Sequence, residues 1–362
     1  MGSIIKQIDT GSNPIQELRE KTRKKRINII LIGLFILFGI SAHAMTQGSA
    51  NLNIVSIFDL VFRPHYLSNT QRFILLNVRL PRVIMAMVTG ASLAAAGVIM
   101  QGVLQNPLAS PFTLGVSSGA SFGAAVGIVL GASVFGFTRA TLNPSLVASN
   151  AFIFGCLSLL IVYAIGQTHP GNNAILLLSG VAVSSLFGAG VSALRYFSNN
   201  ESLRDLAIWL MGGFWSVTWR NVLLLTITSF PSWLFLYRFS LDLNCMIAGD
   251  DIAKTSGVKV SFVRLSCLLL TTLIASASVA FSGVIGFVGL VAPHITRSIL
   301  GQDYRYLLPG TTLFGALLLL VADTVARTII APVEIPVGII MSLLGGPFFI
   351  YILIQNGKRV WN

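Results

Sequence analysis

Val83-Ile84-Met85-Ala86-Met87-Val88-Thr89-Gly90-Ala91-Ser92-Leu93-Ala94-Ala95-Ala96-Gly97-Val98-Ile99-Met100-Gln101-Gly102-Val103 runs for 21 residues without a charge. About 20 such residues, wound as a helix, cross the hydrocarbon core of a bilayer. The surroundings extend the point. No charged residue occurs between Arg82 and Arg139, between Arg139 and Arg195, or from Leu265 to Thr296. Stretches of this kind cannot form a water-facing surface.

Composition agrees. Of 362 residues, 54% are apolar and 10% are charged, with a mean hydropathy of +0.81, whereas a soluble domain carries about 25% charged residues. A soluble enzyme, a disordered chain and an ordinary nucleic-acid binder are excluded. The formal charge of +12 comes from Lys and Arg placed between apolar runs. That pattern belongs to loops beside an anionic leaflet, so membrane lipid is the expected partner and nucleic acid is not. The three cysteines, Cys156, Cys245 and Cys267, match no metal or redox spacing, and the four histidines are scattered. Neither a metal site nor a cofactor site is legible.

The hydropathy pattern predicts an all-α membrane protein of about ten spans. In order these are 27–44, 83–103, 114–134, 144–165, 175–197, 222–237, 263–282, 285–299, 308–326 and 337–354. The eighth is the least regular, because Gly283, Gly286, Gly289 and Pro293 interrupt it. Ala42-His43-Ala44 has the look of a signal-peptidase site, but the apolar run before it is long for a signal peptide and many spans follow. An uncleaved first span is expected. The basic cluster Lys21–Arg26 places residues 1–26 in the cytoplasm as a tail. Residues 27–357 form the polytopic domain, and residues 358–362 a cytoplasmic C-terminal tail that carries Lys358 and Arg359. Parity puts the loops at 106–111, 169–173 and 238–262 inside, and those at 67–82, 198–221 and 328–336 outside.

An internal repeat is visible at an offset of 186 residues, where Ala91–Ile99 recurs as Ala277–Ile285 and Pro107 falls on Pro293. Five crossings separate the copies, so spans 2–5 and 7–10 are expected to be inverted repeats, as in many transporters.

Several motifs carry more than one reading. Gly115-Val116-Ser117-Ser118-Gly119 fits a hydrolase nucleophile elbow, but it opens an uncharged membrane helix with no evident triad, so tight packing is expected. Asp323 and Arg327 are four residues apart near the end of the ninth span, either as a local ion pair or with Arg327 available to a partner. Arg79 and Arg82 pose the same question at the outer start of the second span. Three outward arginines suit an acidic external partner or lipid phosphate. The inner segment 248–258 reads as a short polar helix ending at Gly257. No phosphate-binding loop occurs, since the sole Gly-Lys pair, Gly357-Lys358, lacks the rest of the pattern.

Taken in order, these landmarks resemble the permease subunit of type II ABC importers, the iron-chelate and cobalamin (FecCD) family. They are Arg79-Leu80-Pro81-Arg82, Gln105-Asn106-Pro107-Leu108-Ala109, Leu114-Gly115-Val116-Ser117-Ser118-Gly119-Ala120, Trp209-Leu210-Met211-Gly212-Gly213, Gly286–His294 and Glu334-Ile335-Pro336-Val337-Gly338. The resemblance implies a multi-pass plasma-membrane permease with both termini cytoplasmic. It would act as a homodimer or with a paralogous permease, driven by separate cytoplasmic ATPases and fed by an external substrate-binding protein. ATP would be used by the partner ATPase alone. Arg79, Arg82 and Arg327 would dock the binding protein. Asn106, Leu108, Asn173 and Ala174 would form the cytoplasmic gate. Asp250, Asp251, Ala253 and Gly257 would contact the ATPase, although Asp251 and Ile252 depart from the family's Glu and Ala at that element. ATP binding outside this chain would then move the coupling loop, shift the fourth and fifth spans, and open or close the gate. The implied cargo is a ferric siderophore, with haem and cobalamin as alternatives within the family. From another class, an ion-coupled secondary transporter would also suit an inverted repeat, with Asp323 as its intramembrane acid.

Overall fold

The computed structural model describes residues 14–48, 52–133, 136–137, 144–169 and 173–360. Its helices are α1 (Pro14–Thr46), α2 (Ile54–Phe62), α3 (Asn69–Phe73), α4 (Leu80–Val103), α5 (Val116–Leu130), α6 (Pro144–Gly166), α7 (Asn173–Tyr196) and α8 (Asn200–Met211). They continue as α9 (Trp219–Arg238), α10 (Ser240–Ile247), α11 (Asp250–Thr255), α12 (Val260–Ser282), α13 (Val288–Leu300), α14 (Tyr304–Thr328) and α15 (Val337–Val360).

Six of the helical segments are long and apolar enough to cross a membrane: those at 16–46, 69–103, 144–166, 173–196, 260–282 and 304–328. The bent pair α9–α10, angled at 55°, adds a seventh, and α5, α13 and α15 are shorter apolar helices. The ten expected spans therefore each have a helix. The boundaries differ where glycine sets them. The third span shortens to α5 because Gly115 (φ +80) and Gly131 (φ +59) close it at both ends, and residues 132–133 pair with 136–137 in a two-residue ribbon. The eighth starts late, after Gly283 and Phe287 have taken φ near +66. The expected N-terminal tail is already helical from Pro14, continuous with the first span and supported by the Glu17–Lys21 pair at 2.9 Å.

The repeat survives in the element lengths: α4 to α7 have 24, 15, 23 and 24 residues, and α12 to α15 have 23, 13, 25 and 24. Its residue register does not survive. Gly97 lies inside α4 while Gly283 lies past the end of α12, and Pro107 sits in a turn while Pro293 sits inside α13. Matched by their ends, the two long helices are about two helical turns out of step with the sequence offset. A face of small residues resembles itself after two turns, which is why the sequence match falls there.

The center of the fold is α4, which packs against α14, α12, α13 and α9. Its glycines allow this approach. A Cβ on Gly90 would overlap the carbonyl oxygen of Gly315 in α14, and one on Gly97 would overlap that of Gly289 in α13. Small residues at helix contacts replace the hydrophobic driving force that lipid cannot supply. The elbow-like motif at 115–119 has the same purpose: a Cβ on Gly119 would overlap the carbonyl oxygen of Phe154 in α6.

Candidate functional site

The outer cluster, so called from the loop assignment above, is built where α1 ends, α4 begins and α14 ends. Residues 74–79 form a π-helical stretch that leads into α4 and places Arg79 and Arg82 on its entry. Arg79 Nη1 donates to the carbonyls of Met45 (2.7 Å) and Thr46 (2.8 Å). Arg327 reaches the same turn, its guanidinium donating to Ala44 (3.3 Å) and Gln47 (3.4 Å). The last carbonyls of a helix have no partner of their own and attract cations, so two arginines cap α1.

Arg82 turns the other way. It donates to Asp323 through Nη2 (2.9 Å) and Nε (3.1 Å), and to Glu334 through Nη1 (2.8 Å). Arg327 Nε lies 3.1 Å from the second Asp323 oxygen, in ion-pair contact but off the line of a hydrogen bond. Asp323 is fully enclosed, and Arg79, Arg82 and Arg327 are each under 10% exposed. The expected Asp323–Arg327 pair is present. The expected outward availability of the three arginines is not: they are held inside the chain by Asp323, Glu334 and the end of α1. Among the described residues, three cations against two carboxylates leave one formal positive charge, with Glu334 the most exposed member. Sequence reasoning named the arginines but neither paired Arg82 with Glu334, 252 residues away, nor brought Arg79 and Arg327 to the end of α1.

A second outer feature joins the glycine landmarks. A Cβ on Gly212 would meet the carbonyl of Val284, one on Gly283 that of Trp209, and one on Gly338 that of Met211. Gly213 N–H also donates to Ser282 (2.8 Å). The close of α8, the close of α12 and the start of α15 thus meet backbone to backbone.

At the opposite end, the segments assigned to the inside also meet. Asn106 caps the turn after α4 by accepting from Leu108 N–H (2.9 Å), and Leu108 is exposed. Asn173, the first residue of α7, donates to the Leu104 carbonyl (3.1 Å), so two of the expected gate segments are in contact. Ala174 follows on an exposed face. The segment expected to contact the ATPase is two helices, α10 and α11, ending at Gly257 with φ +85. Asp250 is clamped by Arg264 of α12, whose Nη2 donates to both its oxygens (3.0 and 2.8 Å). Ala253 is buried, whereas the Asp251 side chain is 97% exposed and Ile252 stands out beside it. A side chain at Gly257 would meet open space.

Nearby, Asp303 between α13 and α14 gathers Asn244 (2.9 Å), Arg305 (2.7 Å) and, at 3.7 Å, Arg26 of α1. Burial pushes the Asp303 carboxyl upward, but the hydrogen bonds and charge outweigh it and hold the group at about 2. Among the described residues, no group of three or more His, Cys, Asp or Glu could hold a metal.

Comparison with known proteins gives consistent findings. The model of the FecCD transport family matches residues 21–355. The hemin transport system permease protein of Yersinia pestis is 41% identical over 323 residues, covering 87% of this chain and 93% of its own. The Fe(3+)-citrate import system permease protein of Bacillus subtilis is 34% identical over 345 residues, covering 94% and 98%. A solved structure described as a metal-chelate type ABC transporter in an inward-facing conformation superposes with a TM-score of 0.80 at 31% identity, covering 91% of this chain and 99% of that one.

Proposed function

The chain belongs to the FecCD transport family, and on that premise we propose that its cargo is a ferric siderophore handed over by an external binding protein. The chain is a multi-pass permease of an ABC importer, and ATP is hydrolysed by a separate subunit. The observation that carries the mechanical part of the reading is α11. It is a short polar helix anchored by buried Ala253 and by the Asp250–Arg264 pair, with Asp251 and Ile252 turned outward. That is how a helix looks when its other contact surface is a second protein. Iron-chelate cargo is supported by the ferric citrate and hemin relatives.

We assign the inner end, with residues 104–109, 173–174 and 250–257, to the cytoplasm of a plasma-membrane protein, with both termini on that side. The outward apolar residues of α7 (Leu178, Val181, Leu186) and α15 (Leu343, Leu344, Ile350) suit a second permease subunit or lipid. Docking of an acidic lobe of the binding protein is placed at the outer cluster. Because Arg79, Arg82 and Arg327 are enclosed, the lobe would compete with Glu334 for Arg82. An ion-coupled mechanism fits poorly, since Asp323 is already neutralised by two arginines.

The test is uptake into vesicles holding the permease with its ATPase and binding protein. Radiolabelled ferric hydroxamate siderophore, hemin and cobalamin are offered separately, with and without ATP. ATP-dependent entry of the siderophore is expected. Entry of hemin or cobalamin alone would replace the cargo, and entry driven by an ion gradient without ATP would overturn the mechanism.

A further inference from the structure

Gln105 is a non-glycine residue in the left-handed region, with φ +49. It stands just after the C-cap of α4, where the Gln105 N–H donates to Gly102 (3.3 Å) and the Asn106 N–H to Gln101 (3.1 Å). This pair of bonds is a Schellman turn, whose left-handed position is normally glycine because a Cβ is strained there. The chain places a long amide at this position instead. Strain kept at one residue calls for a gain from its side chain.

That gain is visible. Gln105 Nε2 donates to the Met246 carbonyl at 2.7 Å and lies 3.5 Å from Asp250 Oδ1. Met246 is the buried end of α10, and its carbonyl also accepts from Gly249 N–H, at the hinge into α11. Asp250 is the first residue of α11. On its other side, the same turn is tied through the Leu104 carbonyl to Asn173 at the start of α7. The turn at 104–106 is therefore suspended between the coupling helices and α7, with Gln105 as its polar link to the former.

We propose that Gln105 is the positioning residue through which displacement of the coupling helix pulls the turn at Asn106 and Leu108, and through Leu104 the start of α7. The inference rests on the permease reading above. A donor on a strained turn transmits a pull because it adds a directed bond to the packing of α10 on α4, so the turn follows Met246 when α10 moves. Arg264 ties Asp250 to α12 and does not reach the turn, so it anchors the coupling helix without moving the gate.

Two variants separate transmission from folding. Gln105→Gly removes the link while relaxing the backbone. Gln105→Glu keeps the shape but removes the donor and sets a carboxylate beside Asp250. Each is reconstituted with the ATPase and binding protein, and the ratio of ATP-driven cargo uptake to ATP hydrolysed is read for the siderophore, hemin and cobalamin probes. Gln105→Gly is expected to remain as thermally stable as the parent and Gln105→Glu to be somewhat less stable but folded; both should hydrolyse ATP within about twofold of the parent and lose at least tenfold in the ratio. A parental ratio in either variant would overturn the proposal. So would a loss of uptake and hydrolysis in equal proportion. If the parent itself shows no ATP-driven uptake of any probe, the permease reading fails, a result distinct from failure of the Gln105 link.

Discussion

Replacing Asp323 by Asn probes the outer cluster most directly. The carboxylate is fully enclosed and is shared by Arg82, at 2.9 and 3.1 Å, and Arg327, at 3.1 Å. Asn keeps the shape and can still accept one hydrogen bond, but the cluster changes from one net positive charge to two. Arg82 retains Glu334 at 2.8 Å. Arg327 is left with no carboxylate in contact among the described residues, only the two long bonds to α1. Removing one partner of a buried pair costs about 3–5 kcal/mol; the retained hydrogen bond argues for about 3. For a chain of this size, that corresponds to a fall in Tm on the order of 5 °C or more. Thermal unfolding in detergent reads it, and hydrogen exchange locates it at residues 44–47, where Arg79 and Arg327 cap α1. The double variant Asp323→Asn with Arg327→Gln removes the stranded charge and should recover roughly half of the loss, a coupling that a double-mutant cycle measures. A single variant within 1 °C of the parent (roughly 0.5 kcal/mol or less), or a double variant no better than the single, would refute the idea that Asp323 neutralises both arginines.

Gly97→Ala should cost about 1–3 kcal/mol, because the added Cβ meets the backbone of Gly289. Gly39→Ala in α1, where the new Cβ meets nothing within 4 Å, should instead gain about 0.5–1 kcal/mol from helix propensity; the two are compared by unfolding in detergent. Gly257→Arg places a side chain in open space at φ +85, so a strain of about 1–2 kcal/mol leaves expression intact while ATP-driven uptake is abolished; normal uptake would contradict the coupling assignment. Because Asp303 is held at about 2, below the ordinary carboxylate value of about 3.9, its contribution to stability is complete above pH 4 and disappears as pH falls from 4 toward 2. Asp303→Asn should flatten the Tm profile across that window, and an unchanged profile would show that Asp303 contributes nothing there. Reversing Arg79 and Arg82 to Glu should weaken binding-protein affinity at low salt, whereas Glu334→Gln should strengthen it by removing one of the two carboxylates that hold Arg82; equal affinities in all three proteins would remove docking from this cluster.

Much of this protein was legible along the chain. Uncharged runs of helical length can persist only where lipid replaces water, so the ten expected spans and their approximate positions follow from the hydropathy pattern, whereas the short helices α2, α3, α8 and α10 do not. Gly115, Gly257 and Gly283 mark breaks because positive φ is cheap for them and costly for others, whereas the break at Gly131 fell inside the expected third span. The short polar helix ahead of Gly257 was equally readable, since a polar stretch ending in glycine stands out between two apolar spans. What the order of residues could not decide was the company each side chain keeps. Arg79, Arg82 and Arg327 read as outward charges, yet folding brings α1, α4, α14 and the turn carrying Glu334 together and encloses them. The same holds for Gln105, whose acceptor on Met246 lies 141 residues away. Local hydropathy and torsional preference act within a turn or two of the chain. Charge pairing and close helix contact act through space, and only the packed bundle specifies those distances.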